Sequence, residues 1–288
     1  MGRVLKAKDN DLLRLVAYKE MSEEIASNAA LASKFYAEAQ ITAQLDHPNI
    51  VPVYQLEQNT DGMLAYTMKL IKGKTVEDYI DEVKEAYQKY GKKKLPEEYS
   101  LEKRLEIFLR CCDALFYAHS RGVVHRDLKP ENIMIGAYGE VYIMDWGIAR
   151  ILDDEQDFSD QFFKTMHGKL TGSPAYVAPE TITGDPIDAR TDLYSFGIML
   201  YRMLTGRYPL FAETPYDYLR EHLVGVPLSL FQGRRDVGWD EELEQLVASL
   251  LAKEPADRPA SAASVRDWLL EHRDEILAAA ARGPAEEE

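Results

Sequence analysis

Cysteine is almost missing from this chain. The 288 residues hold two, Cys111 and Cys112, adjacent in an apolar stretch of helical spacing. Neighbours on one helix point in different directions, so two such thiols cannot form a disulfide framework and are expected to be reduced core residues. Long hydrophobic runs are missing as well. No segment approaches the roughly 20 apolar residues of a membrane helix and no secretory leader opens the chain, so the expectation is a soluble, cytoplasmic protein without a membrane span. Lys6 stands where a myristoylation signal requires Ser or Thr. Positive charge is short too: 34 Lys and Arg against 49 Asp and Glu leave a formal net charge of −15. Such a chain repels nucleic-acid backbones and anionic lipid, which argues against both as partners. A polyanionic ligand would have to be held by local cations and metal.

What is present is enough apolar material, 46% of residues, for one large domain or two lobes sharing a cleft. The first 70 residues read as short strands around one helix. Leu12 to Tyr18 forms a strand pattern, and Ser22 to Leu45 carries helical spacing with many alanines. Two further strand patterns, Ile50 to Leu56 and Met63 to Ile71, flank the turn signal at Asn59 to Gly62. From Thr75 the pattern turns mostly helical, with long helices expected at Leu101 to Ser120, Asp192 to Thr205, Glu241 to Ala252 and Ser264 to Ala281. Val141 to Met144 is a short strand that delivers Asp145. Lys89 and Lys92 to Lys94 make a basic patch, read as a solvated loop that could also dock an acidic partner. The organisation expected is a small lobe over residues 1–70, a large lobe over 71–275 and an acidic tail or linker over 276–288.

The chemistry concentrates in His125-Arg126-Asp127-Leu128-Lys129-Pro130-Glu131-Asn132, followed by Asp145-Trp146-Gly147. Two carboxylates, an amide and an ammonium within this span can hold metal ions, steady a phosphate and orient a hydroxyl. Asp127 is the candidate that accepts or orients the nucleophile's proton, with Lys129 placed to neutralise charge on a transferring phosphoryl group. Asn132 and Asp145 offer oxygen ligands suited to Mg2+ or Mn2+.

This run closely resembles the catalytic loop of bacterial eukaryotic-like serine/threonine protein kinases, and the likeness extends over about residues 2–272. Val16-Ala17-Tyr18-Lys19 resembles the strand that presents the phosphate-binding lysine, with Glu38 in Tyr36-Ala37-Glu38-Ala39 as its helix partner. Gly172-Ser173-Pro174 through Ala178-Pro179-Glu180 resembles the end of an activation segment. The resemblance implies an α+β, bilobal protein-kinase fold with a small antiparallel-sheet lobe, one main helix and a larger helical lobe. It implies ATP-dependent transfer to protein Ser or Thr hydroxyls, since Lys129 and Ser173 match the Ser/Thr pattern, with Ser173 beside the substrate hydroxyl. It further implies an ion pair of Glu180 with Arg258 and bracing of the loop backbone by Asp192. Around the adenine it implies Val4 and Ala17 above the ring, Met134 below, Met68 as gatekeeper, and backbone groups of Lys69 and Ile71 at the base edge. Trp146 replaces the usual Phe at a packing position. Arg126 beside the base suggests control by activation-loop phosphorylation, with Thr165 favoured over Thr171 and Ser159, and dimerisation could serve autophosphorylation.

One part of the pattern is missing. Of the Gly-x-Gly-x-x-Gly-x-Val loop only Gly2-Arg3-Val4 can match, seventeen residues before Lys19. Backbone N–H groups of that loop cap the phosphates, so weakened nucleotide binding and reduced transfer are expected. Two alternatives stay open: a pseudokinase-like ATP-binding scaffold, and a small-molecule phosphotransferase of kinase-like fold, which Ala178-Pro179-Glu180 and Ser173 disfavour.

Overall fold

The structure, a computed structural model, describes residues 2–59, 62–91, 95–146, 150–151 and 174–283. The expectations for Lys92 to Lys94, Gly147, Ser159, Thr165, Thr171, Gly172 and Ser173 lie outside the described residues. The small lobe is a four-stranded antiparallel sheet of β1 (Arg3–Asp9), β2 (Arg14–Glu20), β3 (Val53–Gln58) and β4 (Leu64–Lys69), in the order β1-β2-β4-β3. Its helical part comes in two pieces, α1 (Glu23–Ala26) and α2 (Ala29–Gln44), instead of the single helix expected. Two caps divide it. Ser22 accepts from the N–H of Ile25, and Asn28 accepts from those of Ala30 and Leu31. The buried residues of α2 are Phe35, Glu38, Ala39 and Thr42, a stripe at i, i+3, i+4 and i+7. Phe35 and Ala39 pack with Met21 and Tyr66 in a core separate from that of the large lobe.

A short sheet of β5 (Gly73–Thr75), β7 (Ile133–Gly136) and β8 (Val141–Ile143) floors the cleft, and β6 (Val123–Val124) pairs with β9 (Arg150–Ile151). The rest of the large lobe is helical: α3 (Val76–Tyr90), α4 (Leu101–Ser120), α5 (Pro179–Thr183), α6 (Ala189–Thr205), α7 (Pro215–Val224), α8 (Leu230–Gly233), α9 (Glu241–Leu250), α10 (Ala262–Glu271) and α11 (Arg273–Arg282). Every residue of α6 from Thr191 to Thr205 is buried, so this helix is the axis of the lobe. It meets α4 through stacked Phe108 and Phe196, with centroids 3.7 Å apart. Cys111 and Cys112 lie fully buried and free on α4.

Two boundaries differ from expectation. The helix expected from Ser264 to Ala281 breaks at His272, whose ring stacks on Trp268 with centroids 4.2 Å apart. The tail expected from 276 starts later, because Ile276 and Ala279 of α11 are buried against the lobe. No helix among the described residues is long and apolar enough to cross a membrane.

Candidate active site

Alternation along β2 puts Ala17 and Lys19 on one face of the sheet, and the sheet register sets Lys19 opposite Tyr66 on β4. Glu38 occupies a position in the buried stripe of α2 where an apolar residue would ordinarily sit. A lone carboxylate there would be costly. It is paired: Lys19 Nζ lies 2.5 Å from Glu38 Oε1 and 3.0 Å from Asp145 Oδ1, and Tyr66 donates its hydroxyl to Glu38 at 2.6 Å. Burial works against the charge on Lys19, but the Glu38 and Asp145 carboxylates outweigh it and hold the ammonium above its ordinary pKa. Burial likewise opposes ionisation of Asp145, and Lys19 still draws that carboxyl below its usual range. Two lobes are thereby tied through three side chains drawn from β2, α2 and the segment after β8.

The second group is built by the hairpin β7–β8. Ile133 pairs with Ile143, so Asn132 and Met144 face each other at its open end, where Met144 N–H donates to the Asn132 carbonyl at 2.8 Å. Asn132 and Asp145, thirteen positions apart in sequence, are thus each within one residue of the same hairpin mouth. Lys129 Nζ donates to Asp127 Oδ2 at 2.8 Å. The Asn132 amide donates to the Asp127 carbonyl at 2.8 Å and to Asp127 Oδ2 at 3.2 Å. With its nitrogen engaged on Asp127, the Asn132 amide oxygen is left as a hard donor, and Asp145 keeps 37% of its side chain exposed. Among the described residues no three His, Cys, Asp or Glu side chains converge on a point. A cation held by Asn132 and Asp145 would therefore complete its shell with water and phosphate oxygens, as Mg2+ characteristically does.

The loop carrying these groups is held in an unfavourable backbone conformation. Arg126 and Asp145 have φ of 67° and 64°, values that non-glycine residues adopt only at a cost of about 1 kcal/mol or more. Asp192, wholly buried on α6, stabilises the first: its two oxygens accept from the N–H of His125 and of Arg126, both at 2.8 Å. His119 contributes a third contact at 2.8 Å. Burial disfavours the charged carboxylate, yet the His119 hydrogen bond and the His125 contacts keep Asp192 below the ordinary carboxylate pKa. His125, itself buried, reaches the Met144 carbonyl at 3.0 Å and packs on fully buried Trp146, ring centroids 4.6 Å apart. The bulkier aromatic thus fills the packing position expected of it.

Further out, Arg258 meets Glu180 with two bonds of 2.7 and 2.8 Å. Its remaining three N–H groups go to the carbonyls of Ala252, Arg190 and Lys253, each at 2.9 Å. Thr191 completes the carboxylate at 2.8 Å. All five guanidinium donors are satisfied, which is what a buried charge requires.

The adenine set is more mixed. Ala17 is buried and pairs with Met68 across β2–β4, while Val4, facing Lys19 from β1, is 54% exposed. Met134, Met68 and Ile71 are half-buried. Lys69 departs from expectation in part. Its N–H already donates to the Pro52 carbonyl at 3.1 Å, which removes that group from a base edge, and its ammonium donates to the Tyr142 hydroxyl. Gly2 sits where a Cβ would come within 2.4 Å of the Glu20 carbonyl oxygen, a close approach that only glycine allows. Tyr66, His119 and Thr191 escaped the sequence reading. Their roles follow from sheet register and helix packing, which no local motif encodes.

A family model described as the protein kinase domain matches residues 1–269. Among curated proteins the chain is similar to serine/threonine-protein kinase PknD of Chlamydia caviae, at 35% identity over 282 residues, which is 94% of this chain and 30% of that protein. The same-named protein of Chlamydia trachomatis serovar L2b is 36% identical over 285 residues, 93% of this chain and 30% of its own length. That of Protochlamydia amoebophila is 37% identical over 233 residues, 77% and 23%. The chain spans less than a third of these relatives. The match runs through both lobes and across every residue of the Lys19–Glu38–Asp145 and Asp127–Lys129–Asn132 groups, and on it the chain belongs to the protein kinase domain family.

Proposed function

We propose that the chain transfers the γ-phosphoryl group of ATP to Ser or Thr hydroxyls of protein substrates. The observation that carries this reading is the joint arrangement of the two groups: Lys19 is braced by Glu38 and Asp145, and Lys129 and Asn132 converge on Asp127. Lys19 has the position to hold the α- and β-phosphates, its direction set by the buried Glu38 carboxylate. Asp127 orients the acceptor hydroxyl and takes its proton, and Lys129 offsets charge on the moving phosphoryl group and holds the Asp127 oxygen in place. Asn132 and Asp145 would hold Mg2+, which would neutralise charge on the phosphates. Ala17, Val4, Met68 and Met134 surround the adenine, with the Lys69 carbonyl and the Ile71 backbone at its edge. Ser173 completes the substrate side, and Thr165 is the activation-loop residue modified by a second copy, read by Arg126.

The decisive experiment incubates the chain with labelled ATP, Mg2+ and a generic protein substrate, beside Asp127→Asn and a form extended at the N-terminus. Label from the parent and about 10²- to 10⁴-fold less from Asp127→Asn is the expected outcome. Equal label from both would sink the role of Asp127, and none from parent or extended form would favour an ATP-binding scaffold. Phosphopeptide mapping after incubation with ATP should find Thr165 modified; an unmodified Thr165 in an active preparation refutes that choice.

A further inference from the structure

A second cluster of charge lies outside the catalytic cleft. A cavity of about 510 Å³ opens between α3, the end of α6 and the segment after α8. Lys84, Arg207, Arg234 and Arg235 line it, with a single carboxylate, Asp236. Arg234 is stacked on Tyr87, its guanidinium carbon 3.3 Å from the ring centroid, and is held from the other side by Asp236 at 3.1 Å. Beneath the same ring Arg104 is buried. It donates to the Tyr87 hydroxyl at 2.9 Å and to the carbonyls of Met203 and Leu204 at 2.9 and 3.1 Å, and no carboxylate partners it among the described residues. Lys84 pairs with Asp81 at 2.7 Å. Arg207 and Arg235 are exposed and make no ion pair among the described residues. Around Tyr87, five cations meet two carboxylates in a chain whose net charge is −15.

Like charges gathered against the sign of the whole molecule repel one another unless an anion joins them. Arginine in particular offers a planar fork that matches phosphate oxygens. Arg234 is immobilised by its stacking, so it presents a fixed guanidinium, while Arg207 and Arg235 at the rim are free to fold over a ligand. We propose that this cavity binds a phosphate-class dianion, carried either free or as a phosphorylated Ser or Thr side chain of a peptide. The site uses none of the catalytic residues and does not depend on the phosphotransfer reading.

The test uses the full chain without nucleotide or metal. Binding of inorganic phosphate, a phosphoserine peptide and its unphosphorylated counterpart is measured by titration calorimetry at low salt, for the parent and Arg207→Ala/Arg235→Ala. The double variant should bind at least about tenfold more weakly, with an unchanged melting curve because both side chains are exposed. Because both substituted side chains line this cavity and lie outside the nucleotide cleft, their loss reports on this cavity. Phosphopeptide bound more tightly than inorganic phosphate assigns the side-chain source, and equal affinities assign the free anion. No binding of either, binding untouched by the double variant, or equal binding of the unphosphorylated peptide would each overturn the proposal.

Discussion

His222 provides a direct test of how burial governs this fold. It lies on α7 with no exposed surface, held between the Tyr194 hydroxyl at Nδ1 and the Pro174 carbonyl at Nε2, both 2.9 Å away. Nε2 must donate to the carbonyl, so Nδ1 accepts from Tyr194 and the neutral ring satisfies both neighbours. Tyr218 stacks on it, and Lys253, whose own pKa is lowered to about 8 chiefly by burial, faces it as a like charge. Burial, with that charge, lowers the His222 pKa from 6.5 to about 4, although the Pro174 contact pulls the other way. A folded pKa below the unfolded one means that the unfolded chain binds the extra proton. Stability contributed by neutral His222 is therefore complete above about pH 6.5 and lost as pH falls toward 4. At about 1.4 kcal/mol per pH unit the whole difference is about 3 kcal/mol, of which roughly 2 kcal/mol has gone by pH 5. His222→Gln removes the titration and keeps an N–H for the Pro174 carbonyl. Urea unfolding of parent and variant at pH 7 and pH 5 should show the parent's advantage shrinking by about 2 kcal/mol on acidification. An advantage that stays constant between the two would refute the reasoning, whatever its size.

Two further expectations follow from buried groups. Arg258→Ala leaves the Glu180 carboxylate uncompensated in the interior and should cost about 3–5 kcal/mol in urea unfolding, whereas Arg258→Met with Glu180→Leu should recover part of that loss; equal losses in both would argue against an uncompensated charge as the cause. Burial raises the thiol of Cys111 to about 12 and that of Cys112 well above its ordinary value, so neither should react with iodoacetamide in the native protein at pH 8. Both should react in urea, and mass spectrometry counts the adducts; native labelling would place the thiols outside the core.

The candidate site residues were legible because the chain writes most of them contiguously. Asp127, Lys129 and Asn132 fall within one short run, and Asp145 follows a four-residue strand pattern that places it. Lys19 and Glu38 were legible as a pair through the likeness to protein kinases, which pair a strand lysine with a helix carboxylate. What escaped depends on register and packing. β1 is an edge strand with Arg3, Lys6 and Lys8 along it and most of its residues exposed, so it lacks the apolar alternation by which strands are read, as charged edges commonly do. The break at His272 likewise leaves no mark in a periodicity that α10 and α11 both continue. A more general signal was nevertheless available. Glu38 interrupts the buried stripe of α2, Asp192 sits in a helix buried on every side, Arg104 lies among the core residues of α4, and His222 is the one buried residue of α7. Burying a polar or charged group without partners costs several kcal/mol, so a residue of this kind on a core face demands partners elsewhere in the fold. The likeness to protein kinases recovered the first two, Glu38 as the partner of Lys19 and Asp192 as the brace of the loop backbone. Arg104 and His222 obey the same physical rule without any motif, and they are where the cationic cavity and the pH-dependent clamp on the Pro174 carbonyl are found. The physics of the core thus points to sites that a family pattern passes over.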